Sequence, residues 1–519
     1  MANSGQLDQG GAVSARQFET IVVGAGASGS VVAARVTVAS ERAVLLIEAG
    51  PDYPEPTTLA RDLADGRRNS IHRHDWGFKH RPTTQQMRFP LPRGRVVGGS
   101  SAVNTCLALR GQPGDYDEWA GLGLDEWSWE SCLPAFKRLE CDRDFPDADW
   151  HGDSGPLPVL REVARAPWQD AFLEACLSEG HSSCPDSNKP GAYGVGPHAV
   201  NRVDGRRISA AEAWLTPAVR GRDNLAIQAD TEVHRVLFER RRVVAVEVWA
   251  GKEIRRIDAS RVVLCAGAIK TPELLMRSGV GPRAELDRLG VDCVVDAPGV
   301  GAKLLDHPGF AFFMRPRWGR SHRHAPLIQT VLRHLMRPGD LHSYVQIQAG
   351  SSAPFPYMNL PLFSIMAGLG KPRGHGTIRW DSLARGSKPV IRSRFLEDEV
   401  DRELAVDALW MGVEFARTGP MSTMATPLWP RRSALKSRGD VAGWIRKFCD
   451  SGYHPSGTAP MGPDGDTMAV CDGRGRVRGV SGLYVADASL MPTIPTSNTH
   501  LPTLMIGERM GEWLRASPE

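Results

Sequence analysis

A glycine-rich turn between a strand and a helix, close to the N-terminus, constrains the fold of this chain most strongly. Residues 19–23 form an apolar, β-branched run that predicts a buried parallel strand, and a helical stretch covers residues 30–38. Between them, Gly24, Gly26 and Gly29 have the spacing G-x-G-x-x-G. In such a turn the first glycine permits the bend, the second lets a pyrophosphate approach, and the third lets helix and strand pack closely. The helix N-terminus then offers free N–H groups to the phosphates.

A second strand and an acidic residue extend this pattern. Residues 43–47 are apolar, and Glu48 ends the strand about twenty residues after the last glycine. An acid at this position can accept hydrogen bonds from both ribose hydroxyls of an adenosine, and it would repel a 2′-phosphate. The whole pattern predicts dinucleotide binding in preference to a plain strand–turn–helix. It leaves FAD and NAD as alternatives.

Two later blocks also combine glycine turns with apolar runs. Residues 96–101, Val-Val-Gly-Gly-Ser-Ser, predict a second helix N-terminus that faces a flat or anionic ligand. A serine N-cap on an ordinary helix is the alternative. Residues 261–275 again show a strand, a glycine turn and a helix. We therefore expect the nucleotide-binding sheet to receive a further strand late in the chain.

Composition and charge give little support for several functional classes. The 519 residues include 63 basic and 59 acidic side chains, so the net charge of +4 gives no reason to infer a nucleic-acid partner. The nine cysteines are scattered and form no C-x-x-C pair, which predicts reduced thiols and no metal site. No apolar window reaches the roughly 18 residues of a membrane span, and no apolar N-terminal segment suggests secretion. These features predict a cytoplasmic protein without a membrane span.

Two polar segments near the C-terminus are candidates for the chemistry. His454 lies in a loop that is rich in glycine and proline, and Asp487 follows an apolar strand. Asn498 and His500 precede a predicted final helix that returns to the same sheet. Polar groups at the ends of parallel strands line the ligand crevice of such folds. A single loop histidine is more often structural than catalytic, so the interest of His454 depends on this second cluster.

The motifs together resemble the glucose–methanol–choline (GMC) family of flavoprotein oxidoreductases. The first glycine turn with Glu48 resembles the FAD fingerprint of that family. Residues 94–104 and 267–281 resemble its two signature motifs, and the segments 298–307, 453–454 and 498–508 are also similar. The resemblance covers most of residues 19–515 but is loose over residues 311–450. It implies FAD as the cofactor, a small-molecule alcohol as the substrate, and O2 or a redox carrier as the electron acceptor.

The resemblance also implies which residues contact FAD. They lie in the first glycine turn, in the block around residues 95–107, and near late strand ends. They are Gly24, Gly26, Ala27, Ser28, Gly29, Glu48, Ala49, Arg95, Val97, Gly98, Gly99, Ser100, Asn104, Thr105, Cys106, Leu107, Val233, Ala266, Gly267, Asp487, Ala488, Asn498, Thr499 and His500. Some members attach FAD through a histidine at the position of Val103, so we expect noncovalent FAD here. Lys303 stands where the family usually has asparagine, which puts one local hydrogen bond in doubt.

The catalytic roles follow from the same resemblance. It makes His454 the base that takes the hydroxyl proton of an alcohol while hydride leaves the carbon. The second catalytic residue in this family is histidine or asparagine, and spacing from Gly507 places it at Asn498. His500, two residues later, is the alternative, and otherwise it contacts the flavin or packs. A hydroxynitrile-type lyase with non-redox FAD remains the rival of another class. A dehydrogenase that serves a quinone-like or peptide-derived carrier is the nearer rival.

The expected fold class is α/β, with a discontinuous Rossmann-like domain and a second α+β domain built on a mostly antiparallel sheet. We assign residues 18–160, 224–310 and 465–519 to the FAD-binding domain. Residues 161–223 and 311–464 form the substrate domain, and residues 1–17 form a flexible tail. A basic cluster at 315–323 precedes the apolar positions 327–336. We interpret this region as a solvated rim beside a core element. A basic amphipathic helix at a membrane surface is the alternative interpretation.

Overall fold

The computed structural model describes residues 18–38, 41–55, 57–70, 73–321, 324–355 and 358–517. The predicted tail at residues 1–17 and Arg323 of the basic cluster lie outside these residues. Among the described residues, no helix combines the length and apolar character needed to cross a membrane. All nine cysteines are unpaired, as their scattered positions predict.

A five-stranded parallel sheet organises the first core. Its strands come from three distant parts of the chain, which confirms the predicted late return to the sheet. In spatial order they are Leu225–Gln228, Val44–Ile47, Thr20–Val23, Arg261–Leu264 and Leu483–Val485. Both faces are covered, because the three central strands are buried at every position. This burial is why those segments read as continuous apolar runs.

Helices cover this sheet, and two of them come from widely separated parts of the sequence. Helix Ala27–Val36 packs against the final helix, His500–Ala516. The approach is close because both contact positions on the final helix are glycines. A Cβ on Gly507 would lie 2.9 Å from the Ser28 carbonyl oxygen, and one on Gly511 would lie 2.7 Å from Arg35 Cβ. The final helix is thereby held directly over the first glycine turn.

A seven-stranded antiparallel sheet forms the second core. Its order is Ala425–Trp429, Pro308–Pro316, Phe363–Leu369, Tyr344–Gly350, Thr330–Leu335 and Gly194–Pro197, and Cys449–Ser451 also pairs with Pro308–Pro316. Helix Glu399–Arg417 packs across it and buries Leu404, Ala408 and Leu409. The α/β class with one parallel and one antiparallel sheet is confirmed. The domain boundaries given above remain a proposal.

Smaller elements connect the two cores. The other helices are Arg61–Ala64, Pro113–Gly121, Trp129–Leu139, Pro167–Ser178, Ala210–Trp214, Pro217–Arg220, Gly267–Arg277, Arg283–Leu289, Gly419–Ser422 and Arg438–Lys447, with 3-10 turns at Gly99–Ala102, Asp125–Trp127, Leu341–Ser343, Arg432–Leu435 and Ala488–Leu490. The other strands are Phe78–Arg81, Phe89–Leu91, Glu140–Asp142, Leu157–Arg161, Ala199–Val200, Arg202–Val203, Arg206–Arg207, Glu232–Glu239, Arg242–Ala250, Glu253–Asp258, Val280–Gly281, Val295–Asp296, Ala353–Phe355, Met358–Leu360, Thr377–Arg379 and Val390–Arg392.

One local prediction and one less favoured alternative are wrong. The alternative is an amphipathic helix over residues 327–336, but strand Thr330–Leu335 occupies this segment and its first four residues are all buried. Burial on both faces removes the alternation that would have identified a strand. The second glycine block also begins no regular helix, because Gly99–Ala102 is a single 3-10 turn. Beyond it, the Asn104 side chain accepts a hydrogen bond from Cys106 N at 2.9 Å, and Cys106 has a φ of 63°.

Candidate active site

The two glycine blocks pack against each other at the carboxyl edge of the parallel sheet. Gly24 has a φ of 97°, a conformation that an L side chain rarely adopts. Gly98 N donates to the Ala25 carbonyl at 2.7 Å. A Cβ on Gly99 would lie 2.7 Å from Gly26 Cα, so backbone meets backbone here. Helix Ala27–Val36 starts without a side-chain cap, which leaves its first N–H groups suited to phosphate oxygens.

Glu48 lies next to this turn, at the end of strand Val44–Ile47. Its carboxylate accepts hydrogen bonds from Ala25 N and Gly50 N, each at 3.0 Å. Burial raises the pKa of Glu48 to about 7, and backbone amides and the positive charge of Arg95 oppose that rise. The side chain is therefore fixed beside the glycine turn, where the nucleotide pattern places the ribose. This arrangement fits a dinucleotide such as FAD, which the family resemblance implies.

The remaining predicted cofactor residues lie in these two glycine blocks and on later elements of the chain. Ala27, Ser28 and Gly29 form the first helical turn, and Ala49 follows Glu48. The second block provides Arg95, Val97, Gly98, Gly99 and Ser100, followed by Asn104, Thr105, Cys106 and Leu107. Val233 is buried on strand Glu232–Glu239, Ala266 and Gly267 begin helix Gly267–Arg277, Ala488 follows Asp487, and Thr499 caps the final helix.

Asp487 holds late elements of the sheet together. Its carboxylate accepts hydrogen bonds from Gly267 N at 2.8 Å, Thr271 Oγ1 at 2.6 Å, Ser489 N at 2.8 Å, and Ser489 Oγ. Burial raises the pKa of Asp487, while these donors lower it. The side chain therefore orders the strand end and the helix N-terminus.

His454 and Asn498 meet although 43 residues separate them in the chain. Asn498 Nδ2 lies 2.9 Å from His454 Nε2. The Oδ1 atom of Asn498 is buried and makes no hydrogen bond within the described residues. On its other side, His454 Nδ1 lies 3.0 Å from His307 Nδ1. The arrangement places an imidazole and an amide side by side, with an unsatisfied amide oxygen next to them.

The backbone around His454 is held by a buried carboxylate. Asp306 Oδ1 accepts a hydrogen bond from His454 N at 2.9 Å, and Ser451 Oγ donates to Asp306 Oδ2. Tyr453 has a φ of 67°, and Arg93 Nη2 donates to its carbonyl at 2.7 Å. These contacts fix an unusual backbone turn, which aims the His454 ring.

The electrostatic environment keeps His454 neutral. Burial holds the pKa of His454 well below its usual value, and the positive charge of Arg93 adds to that lowering. A neutral imidazole has one nitrogen with a free lone pair, which is what a general base requires. The ring at this position is therefore unprotonated at neutral pH, which is the form in which a general base starts.

His500 differs from Asn498 although it is only two residues away. It is the first residue of the final helix, and neither ring nitrogen makes a hydrogen bond of ordinary geometry among the described residues. Burial lowers the pKa of His500 to about 4, and the nearby Leu107 backbone opposes this. The structure thus brings Asn498, and not His500, into contact with His454.

The loop that carries Asn498 is anchored by a buried lysine. Lys371 Nζ lies 3.1 Å from Asp115 Oδ1 and 3.1 Å from the Ile494 carbonyl oxygen. Asp115 Oδ2 in turn accepts from Thr496 N at 2.9 Å and from Thr496 Oγ1 at 2.7 Å. Lys303, the departure noted in the sequence, donates to the Pro492 carbonyl at 2.8 Å. It therefore supplies a contact to the same loop.

Sequence reasoning missed the residues that support His454. His307 and Asp306 lie in the segment 298–307, which was singled out only as a motif. Their sequence separations from His454 are 147 and 148 residues. The available signal was the pair of adjacent titratable residues in a turn-rich segment that belonged to the resemblance.

Comparisons with known proteins agree with the motifs. Two models of GMC oxidoreductase match the chain, over residues 18–309 and 372–507. The 5-(hydroxymethyl)furfural oxidase of Methylovorus sp. (strain MP688) is 32% identical over 95% of this chain and 98% of its own length. Oxygen-dependent choline dehydrogenase 1 of Chromohalobacter salexigens is 32% identical over 96% and 95%. The crystal structure of pyridoxine 4-oxidase from Mesorbium loti is 30% identical and has a TM-score of 0.86, covering 96% of this chain and 99% of that one.

Proposed function

Because this chain belongs to the GMC oxidoreductase family, we propose that it oxidises a small alcohol to a carbonyl product with His454 as the base. Membership confirms the resemblance carried by the motifs and makes the chain an FAD-dependent oxidoreductase. The observation that carries the proposal is the contact of 2.9 Å between His454 Nε2 and Asn498 Nδ2. This pair provides a proton acceptor and a hydrogen-bond donor at one place.

The proton step explains why both side chains are needed. An alcohol that lost hydride while its oxygen kept the proton would become a protonated carbonyl. His454 Nε2 takes that proton as the hydride leaves, and Asn498 Nδ2 donates to the oxygen on which negative charge develops. FAD, when bound, supplies the acceptor for the hydride. The two glycine turns and Glu48 hold its nucleotide part in this proposal.

Removal of the Asn498 amide tests its role as a donor. We expect Asn498→Ala to slow flavin reduction by alcohol at least about tenfold, because one hydrogen bond to a developing charge is lost. Stopped-flow absorbance at the flavin band measures this rate. The flavin content of the purified variant serves as the control for folding. An unchanged rate would remove Asn498 from the proposed pair.

The names of the relatives suggest the substrate class. 5-(Hydroxymethyl)furfural, choline and pyridoxine, which appear in those names, each carry a primary alcohol. We therefore favour a small primary alcohol for this chain. Incubation with aromatic, heteroaromatic and aliphatic primary alcohols, followed by detection of the aldehyde, tests the proposal. Absence of a carbonyl product with every alcohol, in air and with quinone or dye acceptors, would contradict it.

The electron acceptor is proposed from the same comparison. Each relative is named as an oxidase or as oxygen-dependent, which favours O2 here. If bound FAD passed the two electrons and two protons from the alcohol on to O2, one hydrogen peroxide would form per carbonyl product. Turnover only with a quinone or dye would favour the carrier-dependent alternative.

We propose that FAD is held without a covalent bond. The position that carries a histidine in flavin-linked members is Val103, and a valine side chain cannot form such a bond. Val103 is buried with Leu63, Val96 and Ala102 in a small apolar cluster. After denaturation with acid and centrifugation, we expect all yellow colour in the supernatant. Colour that stays with the precipitated chain would contradict this expectation.

A further inference from the structure

The His307 ring makes two hydrogen bonds of ordinary geometry that indicate where its own proton lies, and the Gly370 backbone is a further nearby partner that raises the pKa of the ring. Its Nε2 atom is 3.0 Å from the Pro495 carbonyl oxygen, and its Nδ1 atom is 3.0 Å from His454 Nδ1. A carbonyl oxygen can only accept, so Nε2 of His307 must carry a hydrogen. Burial lowers the pKa of His307 to about 4, so the ring is neutral and has no second proton at neutral pH. Its Nδ1 atom is therefore an acceptor.

The state of His454 follows from that of His307. A hydrogen bond between the two Nδ1 atoms needs one hydrogen, and His307 does not supply it. His454 Nδ1 must therefore be protonated, and the lone pair of this neutral ring is on Nε2. The Asn498 amide nitrogen, which faces Nε2 at 2.9 Å, is a donor and matches that assignment.

From these contacts we infer that His307 is a positioning residue that selects the His454 tautomer with a free Nε2. When the alcohol proton reaches Nε2, the ring becomes a cation and the bond from Nδ1–H to His307 becomes charge-assisted. His307 thus resembles in role the carboxylate that orients the histidine of a serine protease triad, but it is uncharged. Its backbone is also fixed, because His307 N donates to Asp306 Oδ1 at 2.8 Å.

The Pro495 carbonyl belongs to the loop that carries Asn498. Hydrogen bonds therefore connect the Pro495 carbonyl to His307, His307 to His454, and His454 to the Asn498 amide, so the chain of contacts begins and ends on the same loop. A leucine at position 307 would leave a hydrogen on His454 Nδ1 without an acceptor. We expect the proton to move to Nε2 and the Asn498 amide to turn its unpaired Oδ1 atom toward it, which removes the lone pair that the base needs.

Two substitutions distinguish the effect of losing the hydrogen-bond acceptor from the effect of losing the imidazole ring itself. His307→Leu removes the acceptor, whereas His307→Asn keeps an oxygen near the Nδ1 position. In NMR spectra of holoenzyme labelled with 15N-histidine, the chemical shifts of the ring nitrogens report which nitrogen carries the proton. Comparison with the spectrum of His454→Ala identifies the His454 signals. We expect protonated Nδ1 in the parent and in His307→Asn, and protonated Nε2 in His307→Leu. A parent with protonated Nε2 would overturn the inference without reference to any activity.

The rate effect rests on the proposed function and is measured separately. With an alcohol that reduces the parent flavin, we expect His307→Leu to be about 10- to 100-fold slower, because the wrong tautomer predominates. Substrate affinity should stay within about twofold, and His307→Asn should recover most of the rate. Equal loss in both variants would indicate a packing role and overturn the inference.

His334→Leu, on strand Thr330–Leu335, is the matched control and should leave the His454 tautomer unchanged. Failure of every alcohol to reduce the parent would contradict the proposed function alone, since the tautomer is read independently.

Discussion

The His454→Ala variant is expected to bind FAD and to lose flavin reduction by alcohol by a factor of about 10² to 10⁴. The substitution removes the only side chain whose free imidazole nitrogen contacts Asn498 among the described residues. Water in the vacated space is a far weaker base at neutral pH, so the hydroxyl keeps its proton and hydride transfer stalls. Stopped-flow absorbance of the anaerobic variant measures the loss. Reduction by dithionite should be unaffected.

His500→Ala provides the comparison that tests the assignment. His500 makes no hydrogen bond to His454 in the structure, so its removal should reduce the rate much less than removal of His454. If flavin reduction by alcohol were strongly slowed in His500→Ala and nearly unchanged in His454→Ala, the catalytic pair would be wrongly assigned. A normal rate of flavin reduction in His454→Ala would show that His454 is not the catalytic base.

Gly29→Ala is expected to lose FAD and to destabilise the first core by at least about 2 kcal/mol. A Cβ at this position would lie 1.8 Å from the Gly24 carbonyl oxygen and 3.1 Å from Cys265 Cβ. The first contact is with backbone, so no side-chain rotation can relieve it. Helix Ala27–Val36 would have to move away from the sheet, taking its N-terminus away from the phosphates. The ratio of flavin to protein absorbance and the denaturant midpoint measure both effects.

Gly443→Ala is the matched control for this substitution. Gly443 is inside helix Arg438–Lys447, and an added Cβ would have no neighbour within 4 Å. An alanine there should be neutral or should stabilise the protein by up to about 1 kcal/mol, because it restricts the unfolded chain. Full flavin content in Gly29→Ala would show that the turn tolerates a side chain and would contradict the close-packing argument.

Sequence patterns predicted those parts of the fold in which local signals and burial agree. Strands such as Thr20–Val23 and Arg261–Leu264 are buried throughout, so they read as short apolar runs followed by glycine. Strand Thr330–Leu335 shows where this reasoning stops. Arg333 within it is buried, and its charge is satisfied by Tyr344 Oη at 2.7 Å and by the Ser187 carbonyl. Those partners are distant in the chain and leave no local pattern.

The candidate site shows the same limit. The motif spacing placed His454 and Asn498 together, but nothing local indicated that His307 would meet the other side of the His454 ring.

A second buried cluster was also not predictable from the sequence. Glu140, Asp142 and His151 are all buried, and their ligand atoms lie within 4.8 Å of one another, as metal ligands would. Arg110 pairs with Glu140, however, and Arg161 pairs with Asp142 beside them, which is typical of a structural ion network.

The decisive experiment for alcohol oxidation is to mix the purified holoenzyme anaerobically with primary alcohols while recording the flavin absorbance. We expect at least one alcohol to bleach the flavin, and we expect air to restore the colour as peroxide forms. A flavin that stays oxidised with every alcohol, while the protein cleaves a cyanohydrin, would exclude alcohol oxidation and favour the lyase.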